Sequence, residues 1–186
     1  GRMTTLVSIN RARLLDRIDR LAAVNRLEDS SCCRLALTDA DRDGRDLVVG
    51  WMKEAGLQVH LDQIGNIIGV RSGPAGAAPV MTGSHIDTVA TGGRFDGAYG
   101  VIAGIEALQT LHESRVTTQR GLAVAVFTNE EGVRFQPDMM GSLVYAGGLS
   151  LNDALASTAD DAATLGQELE RIGYAGTLAC GAIGPH

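Results

Sequence analysis

Apolar residues recur with the spacing of an amphipathic helix near the start of the chain. The positions on the shared face are Leu14, Ile18, Leu21 and Val24. A second helix is predicted to begin after an N-cap at Thr38 or Asp39 and to end at Gly56, a residue that suits the position just past a helix. Its apolar positions are Leu47, Val48, Trp51 and Met52. The sequence therefore opens with two helices that each have one face to bury.

Shorter apolar segments with strand character follow. Residues 57–61 alternate between apolar and polar, and the apolar segment 66–71 comes after a glycine, so a β-hairpin is predicted. Residues 122–127 form a nearly continuous apolar run, which is typical of a strand covered on both faces. A shorter run at 79–84 and a helical pattern over 99–114 precede it, and later helices are predicted at 142–146, 151–156 and 164–172. This order of elements indicates a layered α/β domain.

Composition and charge narrow the class of protein. The chain is 45% hydrophobic and 20% charged, as expected of a soluble globular protein. A net charge of −6 without a basic stripe argues against nucleic-acid binding, and no apolar run approaches a membrane span. The start does not resemble a signal peptide. Cys32, Cys33 and Cys180 are odd in number and poorly placed for a disulfide framework, so we expect a cytoplasmic protein.

Charged residues cluster directly after two of the predicted strands. His85 and Asp87 follow the run that starts at residue 79, and Glu130 and Glu131 follow the run 122–127. Sites in open α/β sheets form beyond the carboxyl ends of strands, so both clusters meet at one edge if these strands are parallel neighbours. In extended backbone His85 and Asp87 project to the same side. Asp87 could then accept a hydrogen bond from one ring nitrogen and leave the other free for a metal.

The glycine-rich segment between the clusters holds a further carboxylate, Asp96, which could bridge two metal ions. Adjacent Glu130 and Glu131 tend to point in different directions, so one could bind metal while the other acts as a general base. Ordinary explanations also exist. An Asp-Gly pair is usually a turn, two adjacent glutamates are usually solvated at a helix start, and a lone histidine is seldom a ligand. The spacing alone leaves open whether residues 82–100 form a surface loop or part of a metal site.

Three segments resemble one known family. They are "GSHIDTVATGGRFDGAYGV" at 83–101, "FTNEEGVRFQPDMMGS" at 127–142 and "DRDGRDLVVGWMKEAGLQVHLDQIGNIIGVR" at 41–71. They resemble M20-type metallopeptidase-like amidohydrolases, and more narrowly the branch of N-carbamoyl-L-amino-acid hydrolases, allantoate amidohydrolases and β-ureidopropionases. The resemblance extends over roughly residues 10–186. It implies a zinc-exopeptidase-like catalytic domain, a three-layer α/β/α sandwich with a mixed, largely parallel sheet.

The resemblance also implies roles for particular residues. His85 binds one divalent ion, Asp96 bridges two, and Glu131 binds the other, with Zn or Mn as the usual metal and Co or Ni as further possibilities. Glu130 is the general base that takes a proton from water and returns it to the leaving nitrogen, and Asp87 orients His85. The substrate implied is a small ureido or amide compound whose non-peptide C–N bond is hydrolysed.

The chain departs from the family in what it lacks. The resemblance implies a second histidine ligand in a His-x-Glu-Gln-Gly segment, a last histidine further on, and a smaller domain that gives a homodimer. His186 is not in such a context, and His60 and His112 match no family ligand. We therefore expect residues 1–186 to be the N-terminal part of the catalytic domain, with the dimerisation domain and the C-terminal catalytic segment absent. Such a chain should bind metal weakly or not at all, have little activity alone, and self-associate through an uncovered surface.

Two rival hypotheses remain open on the sequence. The first is an M20-type dipeptidase or aminoacylase with the same fold. The second is a truncated, non-catalytic binding protein that keeps the scaffold.

Overall fold

The computed structural model describes residues 6–74 and 76–183, so His186 lies outside the described residues. Six helices and four strands are found there. The helices are α1 (Arg11–Ala22), α2 (Asp39–Glu54), α3 (Ala98–Glu113), α4 (Met140–Tyr145), α5 (Leu151–Ala156) and α6 (Leu165–Ile172). The strands are β1 (Gln58–Leu61), β2 (Ile67–Arg71), β3 (Val80–Ser84) and β4 (Leu122–Val126). The described helices include none that is both long and apolar enough to cross a bilayer.

The strands form one mixed sheet in the order β1-β2-β4-β3. The predicted hairpin is confirmed, because β1 and β2 pair in antiparallel fashion with Gln58 opposite Val70. The pair β2–β4 is also antiparallel, whereas β3 and β4 are parallel. The α/β class and the mixed sheet are thus confirmed, but parallel pairing is less extensive than expected. The hairpin turn reverses β2 and places it between β1 and β4, so three strands share a direction while only β3 and β4 pair in parallel.

Side chains of β4 alternate between two apolar clusters, as expected for a strand covered on both faces. Val124 and Val126 belong to the larger cluster, which includes residues of the long helices. Helix α2 contacts β1 and β2, and α3 contacts β3 and β4. On the opposite face Ala123 and Ala125 pack with Ile68 in a smaller cluster. The residues at its margin are Val70, Met81, Phe127, Tyr145 and Ile183.

The helix ends follow the local signals in the sequence. Thr38 caps α2 by accepting a hydrogen bond from the Asp41 amide, and Gly56 follows the helix with a φ of 77°. Thr164 caps α6 in a capping box with Gln167. Helix α1 ends at Ala22, so the predicted Val24 lies beyond it, where the chain turns through a left-handed Asn25.

Helix α1 is held on α3 by a partly buried ion pair. Arg13 donates to both carboxylate oxygens of Glu106 at 2.7 and 2.9 Å. Glu106 is 1% exposed and also accepts from the Asn10 amide and the Thr110 hydroxyl. Arg13 makes a second, exposed pair with Glu113. The first helix of the chain is therefore held on the helix that links the two parallel strands.

Candidate metal centre

The carboxyl ends of β3 and β4 bring together the charged clusters that the sequence singled out. The last bond of the parallel ladder is donated by the Phe127 amide to the Ser84 carbonyl at 2.8 Å. Just beyond it, His85 Nε2 lies 3.4 Å from Glu130 Oε2 and 4.0 Å from Asp96 Oδ1. One ligand atom from each of His85, Glu130 and Glu131 lies within 4.8 Å of the others. This group could hold a metal ion.

The orientation of the buried His85 ring is fixed by a main-chain contact. Nδ1 lies 2.9 Å from the carbonyl oxygen of Asp87 and 3.6 Å from the nearer carboxylate oxygen of that residue. A carbonyl oxygen only accepts, so Nδ1 carries the proton and, in the neutral ring, Nε2 presents a lone pair to the carboxylates. The hydrogen bond between Asp87 and the ring is therefore made by the Asp87 backbone rather than by its carboxylate, and the orienting role expected of Asp87 stays a prediction.

The charge state of His85 reflects its neighbours. Burial lowers the pKa of the imidazole, but hydrogen bonding to Asp87 and the negative charges of Asp87 and Glu130 together outweigh it and raise the pKa to about 9. A cation bound at Nε2 would have to displace a proton from that atom.

The Asp87 carboxylate faces the other loop. Its Oδ1 accepts a hydrogen bond from the Glu130 amide and its Oδ2 accepts one from the Glu131 amide, both at 3.1 Å. The residue is 3% exposed, so this carboxylate is buried and satisfied by two backbone donors.

Asp96 precedes a glycine that the site requires. Gly97 has a φ of +66°, and a Cβ built on it would lie 2.4–2.6 Å from three atoms of the His85 ring. Glycine therefore permits both the left-handed backbone and the close approach of the imidazole. Asp96 itself is exposed, with 75% of its side chain open to solvent, and stands next to the N-terminus of α3.

Negative charge accumulates at this edge of the sheet. Burial raises the pKa of Glu131, and the charges of Asp96, Glu130 and Asp87 raise it further, while His85 opposes them. One imidazole thus stands among four carboxylates. A divalent cation would relieve this repulsion, and a mixed nitrogen and oxygen donor set suits zinc or manganese.

Sequence patterns did not reveal the residues that support the first loop. Arg34 is 1% exposed and donates to the carbonyls of Ile86 and Leu21 at 2.6 and 3.0 Å. The Arg34 carbonyl accepts from the Thr88 amide at 2.8 Å. The segment that carries His85 is thereby fastened to the connection between α1 and α2.

The second loop has a separate support. Asn66, which is fully buried, accepts from the Thr128 amide at 2.9 Å and donates to the Gly141 carbonyl at 3.0 Å. Arg45 donates to the Thr128 hydroxyl at 3.2 Å. Asn129, with a φ of 52°, donates to the carbonyl of Phe135 at 2.8 Å. These contacts fix the chain immediately before Glu130, and no periodic pattern marks them.

His60 and His112 lie in β1 and in the last turn of α3, as predicted. Neither belongs to the His85 group. The ring of His112 packs over the backbone of Gly56, where it would meet any added Cβ at 2.9–3.1 Å. Its role in the described structure is packing between α2 and α3.

The family model of peptidase family M28 matches residues 66–176, which include both loops of the site. The chain belongs to peptidase family M28.

Named relatives specify the branch more closely. The chain is 40% identical over 179 residues to an N-carbamoyl-L-amino-acid amidohydrolase of Rhizobium meliloti, covering 96% of this chain and 43% of that protein. It is 36% identical over 160 residues to a ureidoglycolate hydrolase of Arabidopsis thaliana, covering 86% of this chain and 34% of the relative. Among solved structures, an amidase of the hydantoinase/carbamoylase family from Burkholderia multivorans superposes with a TM-score of 0.94 at 45% identity, covering 97% of this chain and 44% of that one.

These findings confirm the resemblance to the carbamoyl-amino-acid hydrolase branch and the α/β fold with a mixed sheet that it implied. The matching family model is that of M28, whereas the resemblance was to M20-type enzymes. The chain spans less than half the length of these relatives.

Proposed function

We propose that the protein to which this chain belongs is a metal-dependent amidohydrolase. Its substrate would be an N-carbamoyl amino acid or a related ureido compound, and it would hydrolyse a non-peptide C–N bond. The observation that supports this most is the convergence of His85, Glu130 and Glu131 at the carboxyl ends of β3 and β4. The relatives named as amidohydrolases supply the substrate class.

The residues divide into ligands and a proton carrier. His85 Nε2 and the carboxylates of Asp96 and Glu131 would hold two divalent ions, with Asp96 between them. When bound, the ions supply Lewis acidity toward the substrate carbonyl and make a nearby water easier to deprotonate. Glu130 would accept the proton of that water and return it to the leaving nitrogen. Glu130 suits this task because its side chain is partly exposed to solvent and its Oε2 lies 3.4 Å from His85 Nε2.

The ligand count supports a further part of the proposal, that residues beyond this chain complete the site. If Asp96 is shared, each ion has one further ligand here, either His85 or Glu131. Catalytic zinc sites usually have three protein ligands. We expect the isolated chain to have little activity and to bind Zn²⁺ weakly in calorimetry. Submicromolar binding at two sites would contradict this expectation.

The activity itself is tested on the full-length protein loaded with Zn²⁺ or Mn²⁺. We expect turnover of N-carbamoyl amino acids or of allantoate, and a fall in kcat of at least about 100-fold for Glu130→Gln, because a positioned general base typically contributes 10²–10⁴-fold. The metal content of this variant should be close to that of the wild type. No turnover of any ureido or amide substrate by a fully loaded enzyme would favour a non-catalytic binding protein instead.

A peptidase is the second candidate, and the description of the matching family favours it. Dipeptides and acyl amino acids should therefore be assayed beside the ureido substrates. A kcat/KM that is higher for dipeptides would replace the proposed substrate class while leaving the metal centre in place.

A further inference from the structure

The two loops of the candidate metal centre leave the sheet at neighbouring strand ends and are then supported separately. Arg34 holds the loop after β3 through the Ile86 carbonyl, and Asn66 holds the loop after β4 through the Thr128 amide. The final ladder bond between the strands lies behind both loops, from Phe127 to Ser84. A contact between the loops themselves would set the distance from His85 to Glu130 and Glu131 directly.

The Asp87 side chain makes that contact. Each carboxylate oxygen accepts one backbone N–H, from Glu130 and from Glu131, at 3.1 Å. The two donors are consecutive in the chain and directly follow the left-handed turn at Asn129. The carboxylate is buried, and hydrogen bonds to an ionised acceptor in such surroundings are stronger than those between neutral groups.

The same carboxylate does not hold the His85 ring. Its nearer oxygen is 3.6 Å from Nδ1, beyond hydrogen-bonding distance, whereas the Asp87 carbonyl is 2.9 Å away. The backbone and the side chain of Asp87 therefore serve opposite halves of the site.

We infer that Asp87 is a positioning residue whose carboxylate fixes the backbone of Glu130 and Glu131, while its carbonyl oxygen orients His85. The importance of these two contacts for catalysis rests on the proposed function. The contacts themselves do not depend on it. Loss of the carboxylate should loosen the two glutamates and leave the tautomer of His85 unchanged.

The first test uses the unaltered chain and NMR. Two hydrogen bonds to one carboxylate should give through-bond scalar couplings from the amide nitrogens of Glu130 and Glu131 to the Cγ of Asp87. Detection of either coupling supports the inference. Absence of both, with backbone couplings visible across the β3–β4 ladder, overturns it. Because neither metal nor turnover enters this measurement, its failure is distinct from a failure of the amidohydrolase assay.

The second test is Asp87→Asn, which keeps the shape but leaves one oxygen acceptor for two donors. We expect amide exchange at Glu130 or Glu131 to accelerate about tenfold or more, as for loss of a hydrogen bond to a charged group. The ¹⁵N shifts of His85, recorded at a pH above the imidazole pKa so that the ring is neutral, should still report a proton on Nδ1. The exposed Asp43→Asn serves as the matched control and should change neither signal. Unchanged exchange at both glutamates together with an altered His85 tautomer would assign the carboxylate to the ring and overturn the inference.

Discussion

At Gly97 the chain adopts a φ of +66° with the His85 ring lying against its Cα. A side chain there meets two separate obstacles, the left-handed backbone and the imidazole. Since His85 is itself fixed by the Asp87 carbonyl, the ring has little freedom to move aside. Gly97 therefore contributes to the geometry of the metal centre although it has no ligand atom.

We expect Gly97→Ala to lower the free energy of unfolding by about 1–3 kcal/mol, because a left-handed non-glycine residue carries strain of this size. The His85 ring signals in NMR should shift at the same time, since the added methyl group would lie directly against the ring. Urea denaturation gives the first quantity.

Gly50→Ala is the matched control, since a Cβ at this position of α2 meets nothing within 4 Å. It should stabilise the protein by about 0.5–1 kcal/mol, because alanine favours a helix interior over glycine. Equal stabilities of Gly97→Ala and the wild type would contradict the account of Gly97.

The charged residues of the candidate site could be predicted from their spacing in the sequence. The residues that hold the two loops in place could not. In the structure His85, Glu130 and Glu131 form one group, Asp96 lies 4.0 Å from His85, and Asp87 accepts from the Glu130 amide. The roles assigned to these five residues stay predictions. Arg34 and Asn66 act through side-chain contacts to backbone groups 52 and 62 positions away along the chain. Such contacts have no periodicity, so the three-dimensional structure is needed to find them.

One buried carboxylate, that of Glu106, links helix α3 to helix α1. Burial raises the pKa of Glu106, but the hydrogen bonds from Arg13, Asn10 and Thr110 and the charge of Arg13 outweigh it and hold the pKa below its usual value. A folded-state pKa below the unfolded-state value means that the ionised carboxylate stabilises the fold above the unfolded-state pKa. That contribution disappears as the pH falls through the folded-state pKa.

Glu106→Gln should therefore destabilise the protein by about 1–3 kcal/mol at neutral pH, the range for hydrogen bonds to charged groups. The difference from the wild type should shrink at acidic pH, as the pH falls through the lowered folded-state pKa of Glu106, because the wild-type carboxyl then becomes protonated as well. Urea denaturation at both pH values measures this.

Glu113→Gln removes the exposed partner of the same arginine and should cost no more than about 1 kcal/mol. If the Glu106 variant were equally destabilised at both pH values, the ion pair would not be the source of the stability.

Helices and strands whose ends are marked by nearby residues were predicted at the correct positions in the chain. Helix α2 and the β1–β2 hairpin were predicted from signals that lie within a few residues of each element, and α6 was predicted from the helical segment 164–172. The position of β2 between β1 and β4 was not foreseen, since strand order depends on which distant segments pair. Periodicity gives the faces of an element but not its neighbours.

In the described part of the molecule, β3 pairs along one edge only, with β4. Its residues are uncharged, and Val80 at its start is 52% exposed. Exposed strand edges without charged residues are prone to pair with further chains. This feature agrees with the expectation that the isolated chain self-associates.

We expect light scattering to show association of the chain that increases with concentration. Val80→Lys should reduce it, because a lysine on the edge opposes strand addition. Leu15→Lys, which removes a similarly exposed apolar residue on α1, should not. A wild-type chain that stays monomeric at high concentration would rule out β3 as a site of association.

The partners in the Asp87 contact are 43 and 44 positions apart along the chain. A folding chain can close the β1–β2 hairpin through a short turn, but it must form α3 and align two parallel strands before these loops meet. We therefore expect the hairpin to form early and the metal centre to assemble among the last events of folding. Divalent ions would then slow unfolding of the finished protein more than they would hasten its folding.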